Sequence, residues 1–121
     1  PLRDQLMDLV MQKLRSLDDT NFLDLARVAI AAGIHSPERA REMVARMNQR
    51  EESLTIWIRA AAADGRLKTS DPVFASTQMQ GLVKSFAFWP QISMGQPPLG
   101  DEAQKKVAEG AVDMFLACYG K

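Results

Sequence analysis

Apolar residues recur along this chain at three- and four-residue spacing, and no stretch alternates apolar with polar in the period of a strand. That regularity confines the fold to packed helices. An amphipathic helix buries one stripe, and only another helix is on hand to cover it. Leu2, Leu6, Leu9 and Lys13 fall on one stripe of a first helix that reaches about Ser16, with Met7, Val10, Met11 and Leu14 beside it. Asp18, Asp19 and Thr20 offer cap oxygens for a second helix over about Asn21 to Ala32, and Gly33 stands where a left-handed cap is expected to end it.

The remaining boundaries are written in proline and glycine. In Ser36-Pro37-Glu38 a capping hydroxyl, a preset φ and an acid at the positive dipole end coincide, so a helix starts there. Helical pattern continues to Ala63, with a break or bend expected near Asn48, where Asn48-Gln49-Arg50-Glu51-Glu52 gathers polar residues. Beyond it, Leu54, Ile58 and Ala61 form one apolar side, Ile56, Ala60 and Ala63 another, with Trp57 between. A helix apolar nearly all round is expected to be central and buried. Asp64-Gly65 ends it, and Asp71-Pro72 starts a helix expected to run to Trp89. Pro90 should stop that helix, leaving 90–100 as a loop. A last helix opens at Gly100 or Asp101 and reaches about Tyr119. Six helical segments and no sheet make an all-α bundle.

The 121 residues fit one domain, and a chain of this length hides roughly two-thirds of its unfolded surface on folding. Fifteen basic and fifteen acidic residues cancel. The basic excess that phosphate neutralisation favours is missing, so nothing in the composition points to nucleic-acid binding by this chain alone. Arg39, Arg46 and Arg50 share a helix face, but Glu38, Glu42 and Glu51 balance them. Cys118 is the single cysteine, which excludes an internal disulfide, fits a cytoplasmic setting and suggests a buried, inert thiol. No apolar run reaches the ~18 residues of a membrane span, and no signal peptide is present. The chain opens at Pro1 directly into helical pattern, as expected of a cut within a longer protein.

Catalytic constellations are missing. One histidine, His35, has Glu38 and Glu42 near it but no second histidine or thiolate close in sequence, so no metal site is expected. Asp18/Asp19 and Glu51/Glu52 are neighbours that diverge by ~100° on a helix and do not converge on one substrate. No phosphate loop or nucleophile elbow occurs. No catalytic residue, metal or cofactor is assigned, and the chain is not expected to be an enzyme. Seven methionines and the large aromatics fit either core or an adaptable apolar pocket between helices.

Ala60-Ala61-Ala62-Ala63-Asp64-Gly65-Arg66-Leu67 followed by Asp71-Pro72 resembles a TetR-family pattern: an alanine-rich helix, a glycine stop, and a new helix at Asp-Pro. Gln80-Gly81-Leu82-Val83-Lys84 is similar to the glycine-bearing middle of that next helix. Ala111-Val112-Asp113-Met114-Phe115-Leu116-Ala117-Cys118-Tyr119-Gly120 resembles the closing "FL-x-x-YG" of regulators with an AefR-like C-terminal domain, with Ala117-Cys118 where Arg-Gly is frequent. Helix order agrees along the whole chain.

The resemblance implies a TetR C-terminal-domain-like bundle over residues 1–121, without the helix-turn-helix domain that family members carry first. Operator DNA would then be met only through that missing domain, and this chain would supply sensing and pairing. A small hydrophobic or aromatic effector is expected between the helices, with Phe22, Met43, Met47, Trp57, Phe86 and Trp89 as the expected lining. A twofold homodimer is expected through the last two long helices. On the last, Val107, Ala111, Met114 and Cys118 form one stripe, and Ala108, Val112, Phe115 and Tyr119 another. The expected interface is Met79, Leu82, Val83, Phe86, Ala108, Ala111, Val112 and Phe115. The alternative is a stand-alone helical interaction module with no small-molecule ligand.

Overall fold

The computed structural model of the chain describes residues 2–47 and 52–121. It consists of α1 (Leu2–Leu17), α2 (Thr20–His35), α3 (Pro37–Met47), α4 (Ser53–Ala63), α5 (Pro72–Ala87), α6 (Trp89–Met94) and α7 (Asp101–Tyr119). The described residues form no strand; one isolated bridge joins Leu67 to Gly120. The break expected near Asn48 lies outside the described residues.

Three helices make the centre. α1 contributes Leu6, Val10, Leu14 and Leu17, which follow the seam between its two apolar stripes. α7 lies against it, and α5 touches both. Two polar ties show that α1 and α7 run antiparallel. Arg3 donates to Asp113 at 3.0 Å at one end, and Gln104 donates to Asp18 at 3.1 Å at the other. Met79 and Val83 of α5 meet Ala108, Val112 and Phe115 of α7 in one buried cluster, which Ile58 of α4 completes.

α4 is not a central helix. It packs on α5, burying Thr55, Ile58 and Ala61, while Ile56 is 55% exposed and Ala60 and Ala63 face outward. Its second apolar side is largely alanine, which loses little by facing water. Beyond α4, Gly65 takes φ +77°, a region that admits glycine freely. The following segment is tied to the end of α7, with the Lys68 amide donating to the Tyr119 carbonyl at 2.8 Å.

Two helix ends differ from expectation. α2 continues past Gly33 to His35 and closes when the Ser36 amide donates to the Ala32 carbonyl. Gly33 lies close to α3: a Cβ there would stand 2.8 Å from the Met43 terminal methyl carbon, the movable end of that side chain. His35 ends a helix and is exposed. Pro90 does not begin a loop. It occupies the first turn of α6, where its missing N–H is no loss, and Phe88 with φ −132° and ψ −60° separates α6 from α5. α2 and α3 form a peripheral hairpin that meets the rest through α6, and Leu23 is the one buried residue on α2.

Candidate functional site

A cavity of about 190 Å³ opens where α1, α4 and α5 converge. Its apolar wall consists of Leu9 and Val10 from α1, Leu54 from α4, and Met79 and Val83 from α5. Gln12, Lys13, Glu52, Ser53 and Gln80 supply the polar part. The Lys13 ammonium stands 3.6 Å from the Glu52 carboxylate. Gln80 is held from inside: its amide donates to Ser76 Oγ at 3.1 Å, and Thr55 Oγ1 donates to the same oxygen at 2.8 Å. Thr55 and Ser76 are buried, so this pair ties α4 to α5 through a satisfied polar contact.

Lys84 lies one turn beyond Gln80 and is half-buried, with its ammonium 5.4 Å from the Phe88 ring centroid. Burial lowers its pKa below the usual lysine value. The like charge of Lys13 pushes the same way, and Glu52 opposes both. Lys13 and Glu52 line the cavity, and their charges act on Lys84 in opposite directions. Among these residues no group of histidine, cysteine and carboxylate side chains is placed to hold a metal ion.

The aromatic residues expected around an effector do not line this cavity. Phe22 packs 6.4 Å from Phe88, and Phe88 packs edge-on 4.8 Å from Trp89, so these rings join α2 to the α5–α6 junction. Phe22, Phe86 and Trp89 are 43%, 57% and 49% exposed. Met43 reaches towards Gly33 inside the α2–α3 hairpin. Trp57 donates its Nε1 hydrogen to Gln5 at 3.1 Å and borders a surface depression with Leu2, Ala60 and Arg66. The Met47 side chain lies outside what is described. None of the other five lines the α1–α4–α5 cavity. One signal for that cavity was available in the sequence: Lys13, a charge on the apolar stripe of Leu2, Leu6 and Leu9.

The residues expected at a dimer interface divide in two. Met79, Val83, Ala108, Ala111, Val112 and Phe115 are buried inside this chain, with Met79 and Phe115 at the floor of a groove between α5 and α7. Leu82 is half-buried and Phe86 exposed, and both remain outward. The outward side of α7 carries instead Val107, Gly110, Met114 and Cys118, the stripe adjacent to the one expected. A groove between the two helices is bordered by Gln78, Leu82, Met114 and Cys118, and the Tyr119 hydroxyl donates to Gln78 across it. Phe74 and Met114 on this side are 58% and 62% exposed. Cys118 is exposed as well, against the expectation of a buried thiol.

A family model described as the AefR-like transcriptional repressor C-terminal domain matches residues 4–121. The chain belongs to the TetR family of transcriptional regulators. Within it, the chain is an AefR-like C-terminal domain. It is 53% identical to a TetR-family transcriptional regulator of Pseudomonas syringae pv. tomato, whose crystal structure superposes with a TM-score of 0.93 over 99% of this chain and 63% of that one. A TetR transcriptional regulator of Agrobacterium tumefaciens, 26% identical, gives a TM-score of 0.80 over 99% of this chain and 58% of its own. A protein assigned to the family from Mesorhizobium loti shares the fold at 23% identity, with a TM-score of 0.84 over 98% of this chain and 59% of that one. The chain thus spans less than two-thirds of the length of these regulators. No match is found among curated proteins. Among the described residues, no helix of this TetR-family chain is long and apolar enough to cross a membrane.

Proposed function

We propose that this domain senses a small, largely apolar effector and pairs with a second copy of itself, so that effector binding controls DNA reading by a helix-turn-helix domain of the intact regulator. The observation that carries the reading is the double duty of α5. Met79 and Val83 face the cavity, while Gln78 and Leu82 border the outward groove with α7. A ligand that moves α5 to fit its cavity wall also moves the surface on which two chains would meet. Two reading heads fixed to such a pair change their separation, and a separation that misses the half-site spacing releases DNA. The outward stripe of Leu82, Val107, Gly110, Met114 and Cys118 is uncharged, as the centre of an interface should be.

Thermal-shift screening of this chain against small hydrophobic and aromatic compounds tests the sensing half. A ligand at a hundred times its Kd should stabilise the fold by about 2.7 kcal/mol. That gain should vanish in Met79→Trp, which fills the cavity. Stabilisation that survives the substitution would place binding elsewhere.

A second reading, a helical interaction module without a ligand, draws on the α2–α3 hairpin. Leu25, Val28 and Ile34 are 72%, 69% and 75% exposed there. It is favoured if no compound stabilises the chain.

A further inference from the structure

Resting on the effector reading of the α1–α4–α5 cavity, we infer that the occupant is a short apolar monocarboxylate, and that Lys13 receives its head group in place of Glu52. Size limits the apolar part. A dry protein cavity of ~150 Å³ holds a benzene ring. The cavity of about 190 Å³ therefore takes a ring or short chain and little more. Leu9, Val10, Leu54, Met79 and Val83 offer that body no hydrogen-bonding side chain.

The mouth specifies the head. Lys13 and Glu52 are the charged residues that line it, and the Lys13 ammonium is the cation an incoming head group can reach. A carboxylate that displaces Glu52 pairs with Lys13 one to one, and an ammonium ligand is repelled by it. The Lys13–Glu52 contact is loose. At 3.6 Å it is well outside the 2.7–2.9 Å of a charge-assisted hydrogen bond. Glu52 is also easily displaced. It precedes α4 without capping it through its side chain, and that side chain is 46% exposed. Water can take the released carboxylate at small cost. An incoming carboxylate can close on Lys13 at full hydrogen-bond distance, with its apolar body already held behind it. Gln80 adds a donor, because its amide has two hydrogens and Ser76 uses only one.

The test is calorimetric titration of this chain with octanoate, octanamide and octylamine, which share a tail and differ in the head. Octanoate should bind about tenfold more tightly than octanamide, or better, and octylamine most weakly. Lys13→Met keeps the apolar stem and should bring octanoate down to the level of octanamide while leaving octanamide unchanged. Glu52→Gln, an exposed change with little bearing on folding, should tighten octanoate by removing its competitor. Equal affinities for acid and amide, or an octanoate preference that survives Lys13→Met in a chain with parental thermal unfolding, would overturn the anionic head and leave the cavity reading standing. If none of the three binds, this inference falls; if the hydrophobic screen also finds no ligand sensitive to Met79→Trp, the cavity reading falls with it.

Discussion

Lys84 shows how one side chain can be unfavourable for folding and still be kept in place. Its stem packs in the bundle, and its ammonium is half out of water beside Lys13, so its folded pKa lies below the ordinary 10.5. Well below the folded value both states hold the proton, and the native state carries the desolvation cost. Between the folded value and 10.5 the unfolded chain binds more proton than the native one, so this group makes stability rise with pH across that window. Lys84→Met removes the charge and keeps the stem. The variant should be at least as stable as the parent at neutral pH, and the parent should gain on it as pH climbs into the alkaline range. Urea unfolding midpoints of both chains at neutral and alkaline pH check this; a parent clearly more stable at neutral pH would refute it. Gly33 is a gentler case. The atom its Cβ would meet is the free end of Met43, so Gly33→Ala should be tolerated, whereas the branched side chain of Gly33→Val cannot be absorbed by the nearby Ala40.

Helix ends and helix attachment belong to the element scale. Asp71 accepts the Phe74 amide at 3.1 Å and fixes where α5 begins. α5 forms both the cavity wall and the outward groove, so its start matters to both. Asp71→Ala should cost about 1 kcal/mol, read as a lower urea midpoint with an unchanged slope. Among its described side chains α3 buries none, and it packs on α2, whereas α7 buries Gln104, Ala108, Ala111, Val112 and Phe115. Local opening follows buried contact, so amides of 40–46 should exchange far faster than those of 108–115. Equal protection in native-state hydrogen exchange would show that the α2–α3 hairpin is braced by something beyond its own packing.

For the whole molecule the open surface of α5 and α7 is decisive. If two chains pair there, the interface should bury on the order of 2,000 Å². Leu82→Glu together with Met114→Glu should give a monomer with parental helical content by sedimentation and circular dichroism. Ala111→Arg is a different experiment. Ala111 is 4% exposed within one chain, so an arginine there should unfold the domain. A dimer indifferent to the paired glutamates would move the contact away from this face.

The sequence alone determined which residues become helix and how most helices begin. Those outcomes depend on local groups: Asp19 and Asp71 on amides a turn away, Pro37 and Pro72 on their own φ, Gly65 on its missing Cβ. α6 was legible in principle, since a proline that breaks one helix can also open the next. The apolar stripes were legible too, but a stripe records only that something covers it. Which stripe of α7 meets α1 and α5, and which is left to water, depends on how three helices cross. That choice buried Ala108, Val112 and Phe115 and exposed Met114 and Cys118. The cavity is likewise a property of the crossing. Leu9, Leu54 and Met79 are ordinary core types from three separate helices, and only the tertiary structure leaves space between them. Burial is a sum over neighbours distant in sequence, and no local pattern of side chains contains that sum.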